Sequence, residues 1–143
     1  MIILTAIDIQ RFVAEATGIA PHNIADDADL FADLGIDGDD FHELMAEFEK
    51  RYTVDMSSYC WYFHHGEEGG PSLGGWLFPP PQRSVTRIAI TPALLLASAN
   101  SKRWLLPYPA HRPPLVRNDL RFNKILFTSL AVLAVLAGMS KLF

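Results

Sequence analysis

The chain has few of the residues that would support a secreted protein or an enzyme. Cys60 is the only cysteine among the 143 residues, which excludes an internal disulfide framework and fits a reducing compartment. No serine, cysteine or histidine lies in a recognisable nucleophile motif, and no phosphate-binding glycine loop is present. No basic segment followed by an apolar core and a small-residue cleavage site opens the chain, so no secretory signal is expected. We therefore expect no catalysis by this chain and no bound cofactor.

Basic residues are scarce in the first part of the chain. Residues 1–60 contain 3 Lys and Arg residues against 13 Asp and Glu residues, a formal charge of −10. Residues 61–143 contain 9 basic and 3 acidic residues, a charge of +6, so the whole chain carries −4. This asymmetry argues against nucleic acid as a partner of the acidic part. It favours an acidic head that binds basic protein surfaces and a basic, apolar tail that contacts a membrane.

The spacing of apolar residues predicts a first helix over residues 5–17. Gly18 is suited to end it in a left-handed conformation. Residues 19–36 should form an irregular connection with apolar anchors in it. The helix face consists of Ile9, Phe12, Val13 and Ala16, and the anchors are Ile24, Leu30, Phe31 and Leu34.

A second helix is predicted from about Asp39 to Arg51, with an acidic outer face. Carboxylates crowd its start, where they can cap free amides and oppose the positive end of the helix dipole. Its apolar stripe consists of Phe41, Leu44, Met45, Phe48 and Tyr52. The acidic residues near its start and along its outer face are Asp37, Asp39, Asp40, Glu43, Glu47 and Glu49, while His42 should point to solvent.

Residues 57–83 differ in composition, because aromatic residues and glycines replace the charged ones. We interpret this segment as an ordered insertion with a short strand at 60–64, which residues 85–90 could pair with in a hairpin. Thr91 and Pro92 predict the start of another helix over 93–99. The prolines 107, 109, 113 and 114 predict a stiff linker.

The C-terminus carries a long apolar run. Residues 125–139 contain no charge, and extension to Phe143 gives 19 residues. At about 1.5 Å per residue that length is roughly 28 Å, close to the bilayer core. The run lacks the amphipathic face that is expected of a buried core helix, so we predict a membrane anchor. The basic residues Arg112, Arg117, Arg121 and Lys124 precede the run. They favour a cytoplasmic N-terminal domain, an inner-membrane location and a single C-terminal pass. Lys141 follows the run, and its side chain could reach the far interface.

The motif Asp33-Leu34-Gly35-Ile36-Asp37-Gly38-Asp39 resembles the centre of an acyl carrier protein, which usually reads Asp-Leu-Gly-x-Asp-Ser-Leu. The resemblance covers roughly residues 5–56 and includes Asp29-Leu30-Phe31, Glu43-Leu44, Glu47-Phe48-Glu49 and Tyr52-Thr53-Val54. It implies a small helical bundle whose acidic second helix binds partners. In that family the serine carries the phosphopantetheine arm. Gly38 stands at this position without a hydroxyl, and Asp39 replaces an apolar residue. Ser57 and Ser58 lie outside the recognition context for the arm.

The chain is also similar to a bacterial family of carrier-like proteins. The similarity lies in Trp61-Tyr62-Phe63-His64-His65-Gly66-Glu67-Glu68 and in Ile90-Thr91-Pro92. It implies a helical bundle and no established activity. We therefore predict a mainly α protein: an acyl-carrier-like domain over 1–104 with the insertion 57–83, a linker over 105–119 and a transmembrane helix over 120–143.

Two groups of residues partly resemble metal sites. Cys60, His64, His65 and Glu67 include zinc-type ligands, but no second ligand pair follows at a familiar spacing. The aspartates 33–40 resemble a calcium loop, but Gly35 and Leu44 stand where acidic ligands are needed. We expect no metal at either place.

Three functions fit these observations in descending order. The first is a non-catalytic, membrane-tethered interaction module, an accessory subunit of an integral-membrane complex that docks through the second helix and the C-terminal helix. The second is a working acyl carrier in lipid or polyketide synthesis with atypical attachment. The third is a metal-binding protein built on 57–83. The residues predicted to dock the partner are Asp37, Asp39, Asp40, Glu43 and Glu47.

Overall fold

The computed structural model describes residues 3–67, 72–112 and 116–139, which are mainly helical and include no strand. Contacts divide the chain into two compact units. The first consists of Met1–Glu68 and Val85–His111, and the second of Gly69–Ser84 and Arg112–Phe143. The segment 57–83 is thus divided between the units, and residues 105–111 lie with the first.

The first helix, α1, spans Ala6–Thr17, close to its predicted bounds. The Thr5 N–H donates to the Asp8 carboxylate over 2.8 Å, which satisfies an amide at the helix start. Gly18 ends the helix with φ 72°, the left-handed conformation expected of it. Ile9, Phe12 and Val13 are buried, so the predicted apolar face is confirmed for these three residues.

The second helix, α2, spans Gly38–Tyr52 and buries Phe41, Leu44, Met45 and Phe48. It ends at Thr53, whose φ of 54° lies in the left-handed region. Glu43 and Glu47 are exposed on the outer face, and so is His42. The predicted stripe is therefore confirmed for these four residues, while Tyr52 is half-buried, and the polar opposite face is confirmed.

The core of the first unit lies between α1, α2 and a later helix, α4, at Pro92–Ser101. The Thr91 hydroxyl accepts a hydrogen bond from the Leu94 N–H, as its position before Pro92 predicts. The connection after α1 joins this core through Ile24 and Leu30, and the Leu30 N–H donates to the Ile90 carbonyl over 3.0 Å. Each large apolar side chain buried here stabilises the unit by about 1.5–3 kcal/mol.

The prediction of a hairpin between residues 60–64 and 85–90 is wrong. Trp61–Phe63 form a 3-10 turn, and residues 85–90 form no ladder. A single backbone–backbone hydrogen bond joins the two segments, from the Ile88 N–H to the Phe63 carbonyl over 2.6 Å. The Ile90 carbonyl accepts instead from Leu30, so the backbone groups that a hairpin would pair are divided between different parts of the chain.

The second unit contains a short helix, α3, at Leu73–Leu77 and a long helix, α5, at Asn118–Met139. The apolar stretch of α5 has a mean hydropathy of 1.8, and none of it is buried. Its length and composition would allow it to cross a membrane. It begins at Asn118, before the predicted 120, and Lys141 lies outside the described residues.

Candidate docking site

Gly38, which the resemblance aligns with the carrier serine, has a backbone conformation that suits glycine. Its φ is 53°, in the left-handed region, and the residue is buried. A side chain there costs conformational energy, because Cβ crowds the neighbouring carbonyl. Glycine at position 38 therefore fits the local conformation as well as lacking the hydroxyl.

Asp37 precedes α2 but does not cap it, contrary to expectation. Its side chain makes no capping bond to the helix amides. Its carboxylate instead accepts from the Gly66 N–H over 3.3 Å. This bond joins the start of α2 to residues 59–66, which we call the aromatic segment, so Asp37 has a structural partner in addition to its predicted docking role.

Three of the predicted docking residues line one cavity of about 450 Å³ between α1, α2 and the loop before α2. Asp40, Glu43 and Glu47 lie along its α2 side, and Glu15 faces them from α1. Asp37 and Asp39 are exposed but do not line it. The acidic residues therefore surround a groove, which we call the α1–α2 groove; its apolar lining is Phe12, Ala16, Leu34, Ile36 and Leu44.

Arg51 is the only cationic side chain among the described residues that line the α1–α2 groove. Its guanidinium contacts Glu15 over 2.6 Å and Glu47 over 3.2 Å, and it lies 5.2 Å from the centre of the Phe12 ring. The hydrogen bond to Glu15 raises the pKa of Arg51. The lining residues carry a formal net charge of −3, from four carboxylates and Arg51. Arg51 already has two of these carboxylates as partners.

The aromatic segment is held by a buried hydrogen-bond network centred on His64 and Tyr108. The His64 Nδ1 lies 2.8 Å from the Ile88 carbonyl, which can only accept, so this nitrogen carries the proton. The His64 Nε2 then accepts from the Tyr108 hydroxyl over 2.7 Å. The Tyr108 oxygen in turn accepts from the Trp104 indole over 2.9 Å and from the Cys60 N–H over 3.2 Å.

Burial changes the proton affinities of this network. Desolvation lowers the pKa of His64 to about 4 and raises the pKa of Tyr108 to about 12. Both side chains are therefore neutral at pH 7. Tyr59 stacks on the His64 ring with centroids 5.3 Å apart. We interpret the network as structural, because each bonded group uses its polar atoms internally.

His65 connects the aromatic segment to α2. Its ring stacks on Phe41 with centroids 4.7 Å apart, and its Nδ1 lies 2.8 Å from the Gly66 carbonyl. Its Nε2 is buried without a hydrogen-bond partner, and desolvation lowers its pKa. A neutral imidazole is the form that this apolar site favours.

The zinc-type residues do not come together in the described part of the chain. His64 is hydrogen-bonded to Ile88 and Tyr108, and the Cys60 Sγ lies 4.0 Å from the His111 Nε2. Among residues 3–67, 72–112 and 116–139, no three His, Cys, Asp or Glu side chains form a group that could hold a metal ion. The aspartates 33–40 belong to this described range as well.

Several residues of the site have no signal in the sequence. Glu15 and Arg51 enter the groove because α1 and α2 lie side by side, and they are 36 residues apart. Tyr108 lies in the proline-rich stretch and reaches His64 across 44 residues. No spacing motif indicates contacts of this range.

Comparison with known proteins gives a family without an assigned activity. No curated protein and no solved structure matches the chain. A family model described as "protein of unknown function (DUF1493)" matches residues 4–107. This range includes α1, α2, α4 and His64, so the groove lies within it, whereas Tyr108 of the His64 network is one residue beyond its end. The chain therefore belongs to the DUF1493 family.

Proposed function

We propose that the protein is a non-catalytic interaction module, tethered to the membrane by α5, that docks a partner through the α1–α2 groove. The observation that carries the proposal is the combination of an apolar groove floor with exposed carboxylates at its edge. Phe12 and Leu44 supply the floor, and Asp40, Glu43 and Glu47 supply the edge. A basic segment with an apolar anchor side chain complements both features.

The membrane helix supports the choice of partner. α5 exposes its apolar side chains, including Phe127, Leu133 and Leu136, and would hold the first unit near the bilayer surface if it crosses the membrane. An integral-membrane protein with a basic surface is then the best-placed partner. We propose the inner membrane, with the first unit in the cytoplasm, from the basic residues that precede the apolar run.

The resemblance to acyl carrier proteins agrees with this proposal in one respect. Carriers are bound by their partners through the acidic second helix, which this chain retains. Covalent acyl carriage is a weaker proposal, because Gly38 has no hydroxyl and its φ of 53° disfavours a serine. Non-covalent binding of a fatty acid in the groove is also a weaker proposal, because its carboxylate would lie among the like charges of Glu15, Asp40 and Glu43. Arg51 is already paired with Glu15.

The docking proposal is tested by reversing charges at the groove. Glu43→Lys with Glu47→Lys should weaken association with a co-purifying integral-membrane protein, and the remaining binding should depend less on salt. The matched control is Asp27→Lys with Glu49→Lys, two exposed residues outside the groove that give the same change in net charge. Binding would be measured on the full chain in mild detergent, with mass spectrometry of the partner and of the intact chain.

Equal loss of binding in both double variants would mean that the partner responds only to net charge. This result would contradict a site specific to the groove. Binding with unchanged salt dependence in the groove variant would place docking elsewhere. A mass increase of one phosphopantetheine arm on the wild-type chain would favour the acyl-carrier alternative. Both substitutions lie on exposed side chains, and loss of the Glu47–Arg51 pair costs about 0–1 kcal/mol.

A further inference from the structure

The short helix α3 exposes an unusual amount of apolar surface. Trp76 is 76% exposed, and Leu73, Leu77 and Phe78 are exposed as well. Large apolar side chains grouped in this way are uncommon on a water-facing surface and mark a contact with another apolar phase. We call residues 73–78 the α3 patch.

The α3 patch is fixed against α5. The Gly74 N–H donates to the Asn123 side-chain oxygen over 2.9 Å, and the Phe78 and Phe122 rings lie 6.1 Å apart. A Cβ on Gly74 would lie 2.2 Å from the Asp119 carbonyl oxygen, closer than packed atoms allow. The two helices therefore meet backbone to backbone at Gly74, and the patch has a defined position on α5.

That position is the polar end of α5. Asp119, Phe122 and Asn123 belong to its first turns, whereas the uncharged run starts at Ile125. Asn123 and Ile125 are separated by about 3 Å along the helix axis. If the run occupies the hydrocarbon of a bilayer, the α3 patch lies at the headgroup level, where tryptophan is enriched in membrane proteins.

The charge of the surroundings matches an anionic lipid surface. In the described part of this unit, Asp119 is the only acidic residue, and it is buried and paired with Arg117 over 2.7 Å. Arg121 and Lys124 are exposed on α5, and Arg83 donates to the Gly75 carbonyl beside the patch. A hydrogen bond to a carbonyl leaves the Arg83 charge in place, so the described part of this unit carries a net positive charge.

We propose that the α3 patch is a second membrane contact: Trp76, Leu73 and Phe78 enter the boundary between headgroups and acyl chains, and the neighbouring Arg and Lys side chains bind anionic phospholipid phosphates. The proposal rests on the membrane insertion of α5 in the proposed function. It adds a lipid-facing surface and the class of lipid. Apolar insertion and charge attraction act together in such contacts.

The test measures the depth of Trp76 in a bilayer. The full chain is reconstituted in phosphatidylcholine vesicles with about one quarter phosphatidylglycerol, and with lipids brominated near the glycerol end of their acyl chains. We expect these lipids to quench tryptophan emission, and Trp76→Phe to remove most of that quenching, because Trp104 is buried and Trp61 half-buried. Quenching should weaken when phosphatidylglycerol is omitted.

A pair of glycine variants tests whether α5 positions the patch. Gly74→Ala should lower the quenching, because the added Cβ separates α3 from α5. Gly138→Ala is the matched control, since a Cβ there has nothing within 4 Å. Unchanged quenching in Gly74→Ala would show that the packing of α3 on α5 does not set the depth of Trp76.

Carbonate extraction of the same vesicles separates this inference from the proposed function. Release of the wild-type chain by carbonate would overturn the anchor and the inference together. Retention of the chain, with equal quenching in wild type and Trp76→Phe, would overturn the inference alone. Shielding of Trp76 from both lipid and acrylamide in the presence of the co-purified partner would assign the patch to a protein interface instead.

Discussion

At the scale of single residues, Gly38 has a backbone conformation that residues with a side chain adopt at a cost in energy. Its φ of 53° is uncommon for residues with a Cβ. We predict that Gly38→Ala lowers the free energy of unfolding by about 1–2 kcal/mol. Urea unfolding of the full chain in mild detergent, followed by tryptophan emission, would measure the change.

Gly66→Ala is the control, because a Cβ there has nothing within 4 Å and its φ is outside the left-handed region. It keeps the N–H that donates to Asp37. Equal unfolding free energies for Gly38→Ala and wild type would contradict the assignment of strain to position 38.

His64 makes the stability of the first unit depend on pH. Its folded pKa of about 4 lies below the ordinary 6.5, so between these values the unfolded chain binds more protons than the folded chain. Stability is therefore complete above pH 6.5 and decreases as the pH falls toward 4, by about 3 kcal/mol in total. His65, whose pKa burial also lowers, acts in the same direction.

Urea midpoints between pH 7 and pH 4 would measure this effect. His64→Gln should be less stable at pH 7 and should lose much of the decrease on acidification, whereas His22→Gln should keep it, because His22 is exposed. The carboxylates of Asp29 and Asp119 have pKa values lowered from 3.8. The stability that these carboxylates contribute is therefore lost mainly below this pH window. A flat profile from pH 7 to pH 4 would be incompatible with a buried neutral His64.

At the scale of elements, α5 differs from α1, α2 and α4 because packing within the chain does not bury its apolar residues. We predict that Leu130→Lys with Leu133→Lys converts the full chain from carbonate-resistant to carbonate-extractable. Each lysine near the centre of a transmembrane helix costs about 3 kcal/mol. Leu130→Ala with Leu133→Ala is the control and should stay in the membrane pellet. Extraction of wild type and both variants alike would place α5 outside the bilayer.

At the scale of the whole molecule, the charge asymmetry predicts an orientation. The basic residues before the apolar run favour the cytoplasmic side for the first unit. Protease added to spheroplasts should leave the first unit intact, and protease added to inverted membrane vesicles should digest it. A periplasmic reporter domain cleaved in the opposite preparation serves as the control. Digestion in intact spheroplasts would reverse the assigned topology.

Much of the helical structure could be predicted from the sequence, because its determinants are local. The apolar spacing of α1 and α2 indicates both the helices and their buried faces, and Gly18 and Thr91 mark ends through their own backbone or side-chain chemistry. The exposure of Glu43 and Glu47 follows from the same periodicity. The apolar run of α5 is visible without any contact, since composition and length define it.

The remaining features depend on contacts between distant residues, which only the tertiary structure decides. The aromatic residues at 59–63 have a propensity for a strand, but the backbone at Trp61–Phe63 forms a 3-10 turn. Tyr108 and Trp104, from a distant part of the chain, complete the hydrogen-bond network around His64. The α1–α2 groove requires Glu15 and Arg51 from different helices. Local sequence determines which residues prefer a helix or a buried face, whereas the tertiary structure decides which polar atoms meet, because each hydrogen bond depends on the placement of two separate segments.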